Sequence, residues 1–151
     1  MADIKFITAQ DRDFKIVKAI RTAVFTNEQG ADADKEFDEL DNFSDFALLY
    51  DGENAVATAR VVEISKGYKI GRIAVLKEYR GKGYGEDIVR SVTEKAFDNG
   101  ADKVYVDAQN YAVPFYEKIG FKVIGEELFD RGLPHTPMSV TKEEYYGKEK
   151  E

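Results

Sequence analysis

Three glycines at alternate positions, in Arg80-Gly81-Lys82-Gly83-Tyr84-Gly85, constrain this chain more than any other feature. They follow an apolar stretch that ends at Leu76. They precede Ile88, Val89, Val92, Ala96 and Phe97, which keep the spacing of one helix face. A glycine-rich turn from a strand into a helix N-terminus is an anion site. Its backbone N–H groups face the ligand, the helix dipole favours negative charge, and the missing side chains let phosphate oxygens approach. Arg80 and Lys82 add positive charge, although the loop alone is equally compatible with a simple chain reversal. Two phosphate loops are disfavoured. A Walker loop needs Lys-Ser or Lys-Thr where Glu86-Asp87 follow Gly85, and a dinucleotide fingerprint needs glycine where Glu86 stands.

The pattern around the loop predicts one domain spanning residues 1–151, since 43% of the chain is hydrophobic and no linker or repeat divides it. Residues 4–7 read as a strand. Thr8-Ala9-Gln10-Asp11 resembles a capping box before a helix that places Phe14, Val17, Ile20 and Val24 on one face. Residues 30–44 are acidic and weakly periodic, as a loop or short helix near a pocket mouth would be. Residues 46–50 and 55–64 form a hairpin about Asp51-Gly52, and residues 68–76 form the strand that enters the glycine loop. Asn99-Gly100 stops the helix after that loop, and Val104 and Val106 alternate as a strand. Pro114 and Gly120 bracket a short helix, residues 121–128 and 133–141 return as strands, and the charged residues 148–151 read as a frayed end. The sum is an α+β fold. A mixed sheet of about six to seven strands carries helices on both faces, and neither a barrel nor a bundle fits.

Composition removes several functions. With 29 acidic and 22 basic residues the formal charge is -7, which disfavours nucleic acid. Solubility explains that charge, and attraction of a cationic acceptor is the alternative. The absence of cysteine removes disulfides, thiolate metal sites and a cysteine nucleophile. No Asp/His spacing suits a metal and no nucleophile elbow occurs. No apolar run approaches the roughly 20 residues of a membrane helix and the start lacks a leader pattern, so a cytoplasmic location is expected.

Arg80-x-x-Gly83-x-Gly85 resembles the pyrophosphate-binding signature of the GNAT N-acyltransferases. Further on, residues 109–121 resemble the GNAT segment Asn-x-x-Ala-x-x-x-Tyr-x-x-x-Gly-Phe, with Gln109 in place of the usual Asn and with Ala112, Tyr116, Gly120 and Phe121 in register. Arg21-x-x-Val24-Phe25-x-x-Glu28-Gln29, the run Ile70-Gly71-Arg72-Ile73-Ala74-Val75, and Gly132-Leu133-Pro134-His135 with Met138 resemble the ElaA-like branch. Together these segments span almost the whole chain.

The resemblance implies a splayed sheet whose wedge receives the pantetheine arm of CoA between the strands that end at Val75 and near Ala108. Ile73, Ala74 and Val75 would form the exposed edge, one N–H there polarising the thioester carbonyl. The amides of Gly81, Lys82, Gly83, Tyr84, Gly85 and Glu86 would hold the pyrophosphate, with charge from Arg80, while Lys82 reads equally as a solvated lysine. Gln109 would contact the CoA arm. Tyr116 would protonate the departing CoA thiolate, or else pack with Phe115. Glu28, Glu63, Asp107 and His135 remain candidates for the base, with Glu28 and His135 expected on the acceptor side together with Phe25 and Gln29. The implied activity is transfer of an acetyl group from acetyl-CoA to a primary amine on a small molecule or protein, without a metal; a homodimer is compatible. The alternatives are a CoA-binding sensor or interaction module without turnover, and an acyltransferase similar to acyl-homoserine-lactone synthases.

Overall fold

The computed structural model describes residues 2–150. Strand β1 (Asp3–Thr8) leads to α1 (Phe14–Arg21), which continues as a wider π-helical stretch, Thr22–Glu28. A short α2 (Ala33–Glu36) and a 3-10 turn (Glu39–Phe43) lead to β2 (Asp45–Asp51), β3 (Asn54–Ile64) and β4 (Gly67–Val75). Helix α3 (Tyr84–Asp98), β5 (Lys103–Gln109) and α4 (Val113–Ile119) follow. Then come β6 (Lys122–Val123), β7 (Leu128–Asp130), β8 (Leu133–Thr141) and α5 (Lys142–Lys150).

Among the described residues eight strands form one sheet in the order β1-β2-β3-β4-β5-β8-β6, with β7 also paired to β8. β4 and β5 run parallel, joined by the crossover through α3, and the other neighbouring strands pair antiparallel among the described residues. The two faces follow from the period of two: Ala47 and Leu49 of β2 join the cluster that contains Ile88, Val89 and Val92 of α3, whereas Phe46 and Leu48 join Val17 and Ile20 of α1. The α+β architecture with helices on both faces is therefore as expected.

Three local expectations change. Residues 121–128 do not form one strand, which raises the strand count to eight. Gly125 passes so close to Pro137 that an added Cβ would lie 3.0 Å from its ring, and proline offers the ladder no N–H donor. Thr8 does not cap α1, because it still pairs with Asp45 in the β1–β2 ladder; its hydroxyl accepts only from Gln10 N, and the helix starts at Phe14. Capping boxes occur elsewhere, at Asp38–Asp41 and at the start of α5. Thr141 N donates to Glu144 at 2.9 Å and Glu144 N to the Thr141 hydroxyl at 3.0 Å, which starts α5. Tyr145 of that helix is fully buried on Phe97. Of the run read as a frayed end, residues 148–150 continue α5 and Glu151 lies outside the described residues.

The site is prepared by a defect in the sheet. On the β3 side, Thr58 pairs with Ala74 and Arg60 with Gly71, so Arg72 and Ile73 together oppose Ala59 as a bulge. On the β5 side, pairing ends at Ile70–Val106. Beyond that point the two parallel strands part.

Candidate active site

A cavity of about 510 Å³ fills the opening, bounded by Ile73 and Val75 of β4, the glycine loop, the start of α3, and Phe115 and Tyr116 of α4. Gly81 and Gly83 hold φ of 82° and 84°, a left-handed region that glycine enters without a Cβ penalty. A Cβ at either would meet no atom within 4 Å, so both face open space. Gly83 is the N-cap of α3 and no side chain caps that end. The first-turn amides are thus available to an anion at the positive end of a 15-residue helix.

All the residues expected at the cofactor line this cavity except Lys82 and Gln109. Lys82 is exposed, with its ammonium 5.4 Å from the Tyr79 ring centre. Gln109 donates to Gln29 Oε1 at 2.8 Å and lines a smaller cavity next door. The Tyr84 hydroxyl is committed to Asp51 at 2.8 Å. Arg80 is held at both ends of its guanidinium, donating from Nε to the Val75 carbonyl at 3.0 Å and as a fork to Glu28 at 2.5 and 2.7 Å. That hydrogen bond, helped by the Arg80 and Lys77 charges against slight burial, holds Glu28 below the usual carboxylate range.

The placement of Glu28 departs from expectation. It lines neither cavity and faces the loop. Consecutive Val24 and Phe25 are both buried in the π-helical stretch, and Glu28 at its end forks with Arg80. Glu63 also stands apart, paired with Tyr68 at the far end of β3.

The smaller cavity, about 60 Å³, is lined by Phe25, Asp107, Gln109 and His135, and it shares Ile73, Tyr111, Ala112 and Tyr116 with the larger one. His135 is buried, with Nδ1 2.8 Å from the Leu133 carbonyl. A carbonyl only accepts, so Nδ1 carries a proton and donates it there. Asp107 is paired with Lys69 at 2.6 Å. Tyr116 is wedged edge-on between Phe115 and Phe121, with ring centres 5.1 and 5.7 Å away. Burial, with a smaller contribution from Tyr111, pushes its phenol far above the ordinary tyrosine value, so it stays protonated at neutral pH.

Sequence reasoning missed a buried charge cluster beside this cavity. Arg21, Arg60, Arg72 and Arg131 are buried with Glu36 and Asp41. Arg21 donates to Glu36 at 3.0 Å and to Asp41 at 2.8 Å, while Arg60 reaches Asp41 at 2.9 Å and Asp38 at 2.7 Å. Burial alone would push Asp41 up, but the Arg21 hydrogen bond and the Arg21 and Arg60 charges outweigh it and hold the carboxyl down. One signal was legible. Arg21 interrupts the apolar face of α1 one residue after Ile20, where a solvated arginine would be out of place.

A splayed α+β sheet beside a glycine-rich helix start defines the acyltransferase class of fold. The family described as acetyltransferase (GNAT) domain matches residues 13–142, and the chain belongs to it. The protein is 40% identical over 134 residues to YjcF of Bacillus subtilis strain 168, an uncharacterized N-acetyltransferase, covering 87% of this chain and 95% of that one. Among solved structures, Escherichia coli ElaA superposes with a TM-score of 0.83 at 24% identity, over 93% of this chain and 99% of ElaA. N-acetylglutamate synthase of Neisseria gonorrhoeae, solved with coenzyme A and N-acetyl-glutamate, gives 0.70 at 19% identity over 93% of this chain and 35% of its own. The likeness to these two structures is one of fold.

Proposed function

We propose that the protein moves an acetyl group from acetyl-CoA to a primary amine, with CoA in the larger cavity and the amine entering through the smaller one. The observation that carries this reading is the position of Tyr116, a wall of both cavities. A fold neighbour solved with coenzyme A supports the cofactor assignment, as do the uncapped amides of α3 in front of Gly81 and Gly83. The amine must be neutral to offer its lone pair. Its nitrogen bonds to the thioester carbon, the carbonyl oxygen takes up charge beside the β4 edge at Ile73, and the C–S bond then breaks. Tyr116 supplies a proton to the departing sulfur. The proton lost by the amine leaves on the acceptor side, where the His135 imidazole and the Asp107 carboxylate line the smaller cavity.

Release of free thiol from acetyl-CoA across a panel of primary amines tests this. Tyr116→Phe keeps both ring contacts, so kcat should fall by about 10²-fold while CoA affinity holds. CoA binding with no thiol released on any amine would leave a binding module in place of an enzyme. No CoA binding at millimolar concentration would end the assignment altogether.

A further inference from the structure

Among the described residues only two besides glycine hold a left-handed backbone, Arg72 at φ 50° and Arg131 at φ 54°. Side chains with a Cβ rarely adopt it, and such strain persists only where the surroundings enforce it. Here both enforcing contacts converge on one carboxylate. Arg72 Nε lies 3.1 Å from Glu36 Oε2, and Arg131 Nη1 donates to Glu36 Oε1 at 2.8 Å. Glu36 is fully buried and also receives Arg21 Nε at 3.0 Å. Around it, Arg72 donates to the Glu36 carbonyl at 3.1 Å, the Lys35 carbonyl at 3.3 Å, Asp38 at 3.2 Å and Asp130 at 3.4 Å.

Arg72 and Arg131 line the smaller cavity, and Arg21 precedes its wall residue Phe25 in the chain. Arg21 ends α1 ahead of Phe25, Arg72 forms the β4 bulge ahead of Ile73, and Arg131 occupies the β7–β8 turn ahead of His135. The Arg131 guanidinium also covers the Phe25 ring at 4.9 Å. Buried ion clusters are poor stabilisers relative to apolar packing of the same volume, so fold stability alone is a weak reason for this one. Its geometry gives a better one. Arg72 sits where β4 needs an extra residue against β3, one position before the strand edge that borders both cavities.

We propose that Arg72, anchored on Glu36, is a positioning residue: it locks the β4 bulge so that the strand stays apart from β5 and the Ile73 backbone faces the junction of the two cavities. The inference rests on the acetyl-transfer reading, because the thioester carbonyl is what Ile73 would orient there. Arg72 lines the smaller cavity, but its guanidinium is taken up by the Glu36 and Lys35 carbonyls, Asp38 and Asp130, so it acts through the bulge.

The test uses the full-length protein and two variants. Arg72→Lys keeps the charge and loses the planar fork. Asp130→Asn takes the charge from one anchor of Arg72 at the solvent edge, where the carboxylate is 42% exposed. Two readouts are taken, the amide resonances of residues 72–74 in the unliganded protein and the split between kcat and CoA affinity. The expected result for Arg72→Lys is a displaced Ile73 amide and a kcat lower by about 10²-fold, with the CoA dissociation constant within about threefold of wild type because the glycine loop is untouched. Asp130→Asn should move both in the same direction by less, and it carries the test if Arg72→Lys fails to fold. An unmoved Ile73 amide, or a kcat within about threefold of wild type in folded Arg72→Lys, overturns the proposal. Should wild type bind CoA but transfer nothing, the catalytic reading fails. The Ile73 resonance still decides whether Arg72 holds the bulge.

Discussion

Gly85→Ala separates the stability of the fold from the use of the cavity, because the two should move in opposite directions. Gly85 lies in the first turn of α3 outside the left-handed region, so alanine fits its backbone. An added Cβ would meet Phe115 at 3.8 and 3.9 Å and Val75 at 3.9 Å, ordinary contact distances. Restricting the unfolded chain should then stabilise the unliganded protein by about 0.5 kcal/mol, the low end for such replacements in view of the position in the first turn. At roughly 2–4 °C per kcal/mol for a chain of this size, Tm rises by about 1–2 °C. The same Cβ bridges Val75 on β4 and Phe115 on α4, both cavity walls, and so stands across the path from the glycine loop to Tyr116. CoA at a hundred times its dissociation constant adds about 2.7 kcal/mol to wild type, or about 5–10 °C. A variant bound about a hundredfold more weakly gains only about 0.4 kcal/mol at that concentration. Melting curves with and without CoA should therefore cross, the variant being the more stable alone and the less stable with ligand. A full wild-type shift in the variant would place the ligand elsewhere. A lower Tm without ligand would refute the packing argument.

Glu28→Gln should release the Arg80 fork and tighten CoA by about three- to tenfold at low salt, an effect that titration calorimetry should see fade as salt is raised; unchanged affinity would mean that Arg80 stays on the Val75 carbonyl. The Lys122 hydrogen bond, then the Thr141 N–H, draw Glu144 down to about 2 from an ordinary 4.5. Because its folded value is the lower one, the stabilisation is complete above about pH 4.5 and fades as pH falls toward about 2. Melting temperature against pH should show that loss in wild type and a flatter curve in Glu144→Gln. Glu36→Ala leaves Arg21, Arg72 and Arg131 without their shared carboxylate, which should cost about 3–5 kcal/mol and lower Tm by about 6–20 °C in calorimetry.

The glycine loop was legible because its chemistry is local: positive φ at Gly81 and Gly83 and a helix beginning at Tyr84 depend on neighbouring residues. Strand β8 falls on residues 133–141, as read from the sequence. The charge cluster was not, since its bonds join residues 15 to 95 positions apart. Acidic residues 30–44 read as a loop or short helix near a pocket mouth, which gave no sign that Glu36 and Asp41 are buried counter-charges whose arginine partners are scattered from Arg21 to Arg131. Glu28 was expected on the acceptor side from its ElaA-like segment alone, and nothing local announced its fork with Arg80, 52 positions away. Helix α5 was missed although Thr141-x-x-Glu144 is a readable start, because its density of charge resembled a tail.

A gap in the middle of a sheet exposes two rows of backbone donors and acceptors, and it survives only if each strand is secured along its other edge. Beyond the bulge β4 regains β3 through Ala74–Thr58 and Val75–Ala57, while β5 stays paired with β8 as far as Gln109–His135. Neither strand can swing into the gap without breaking those pairs, and Arg72 adds a side-chain anchor at the point of divergence. The opening between Val75 and the end of β5 is therefore a property of the unliganded fold. An extended, amide-bearing ligand would complete the two open edges as an added strand does, without having to separate them first.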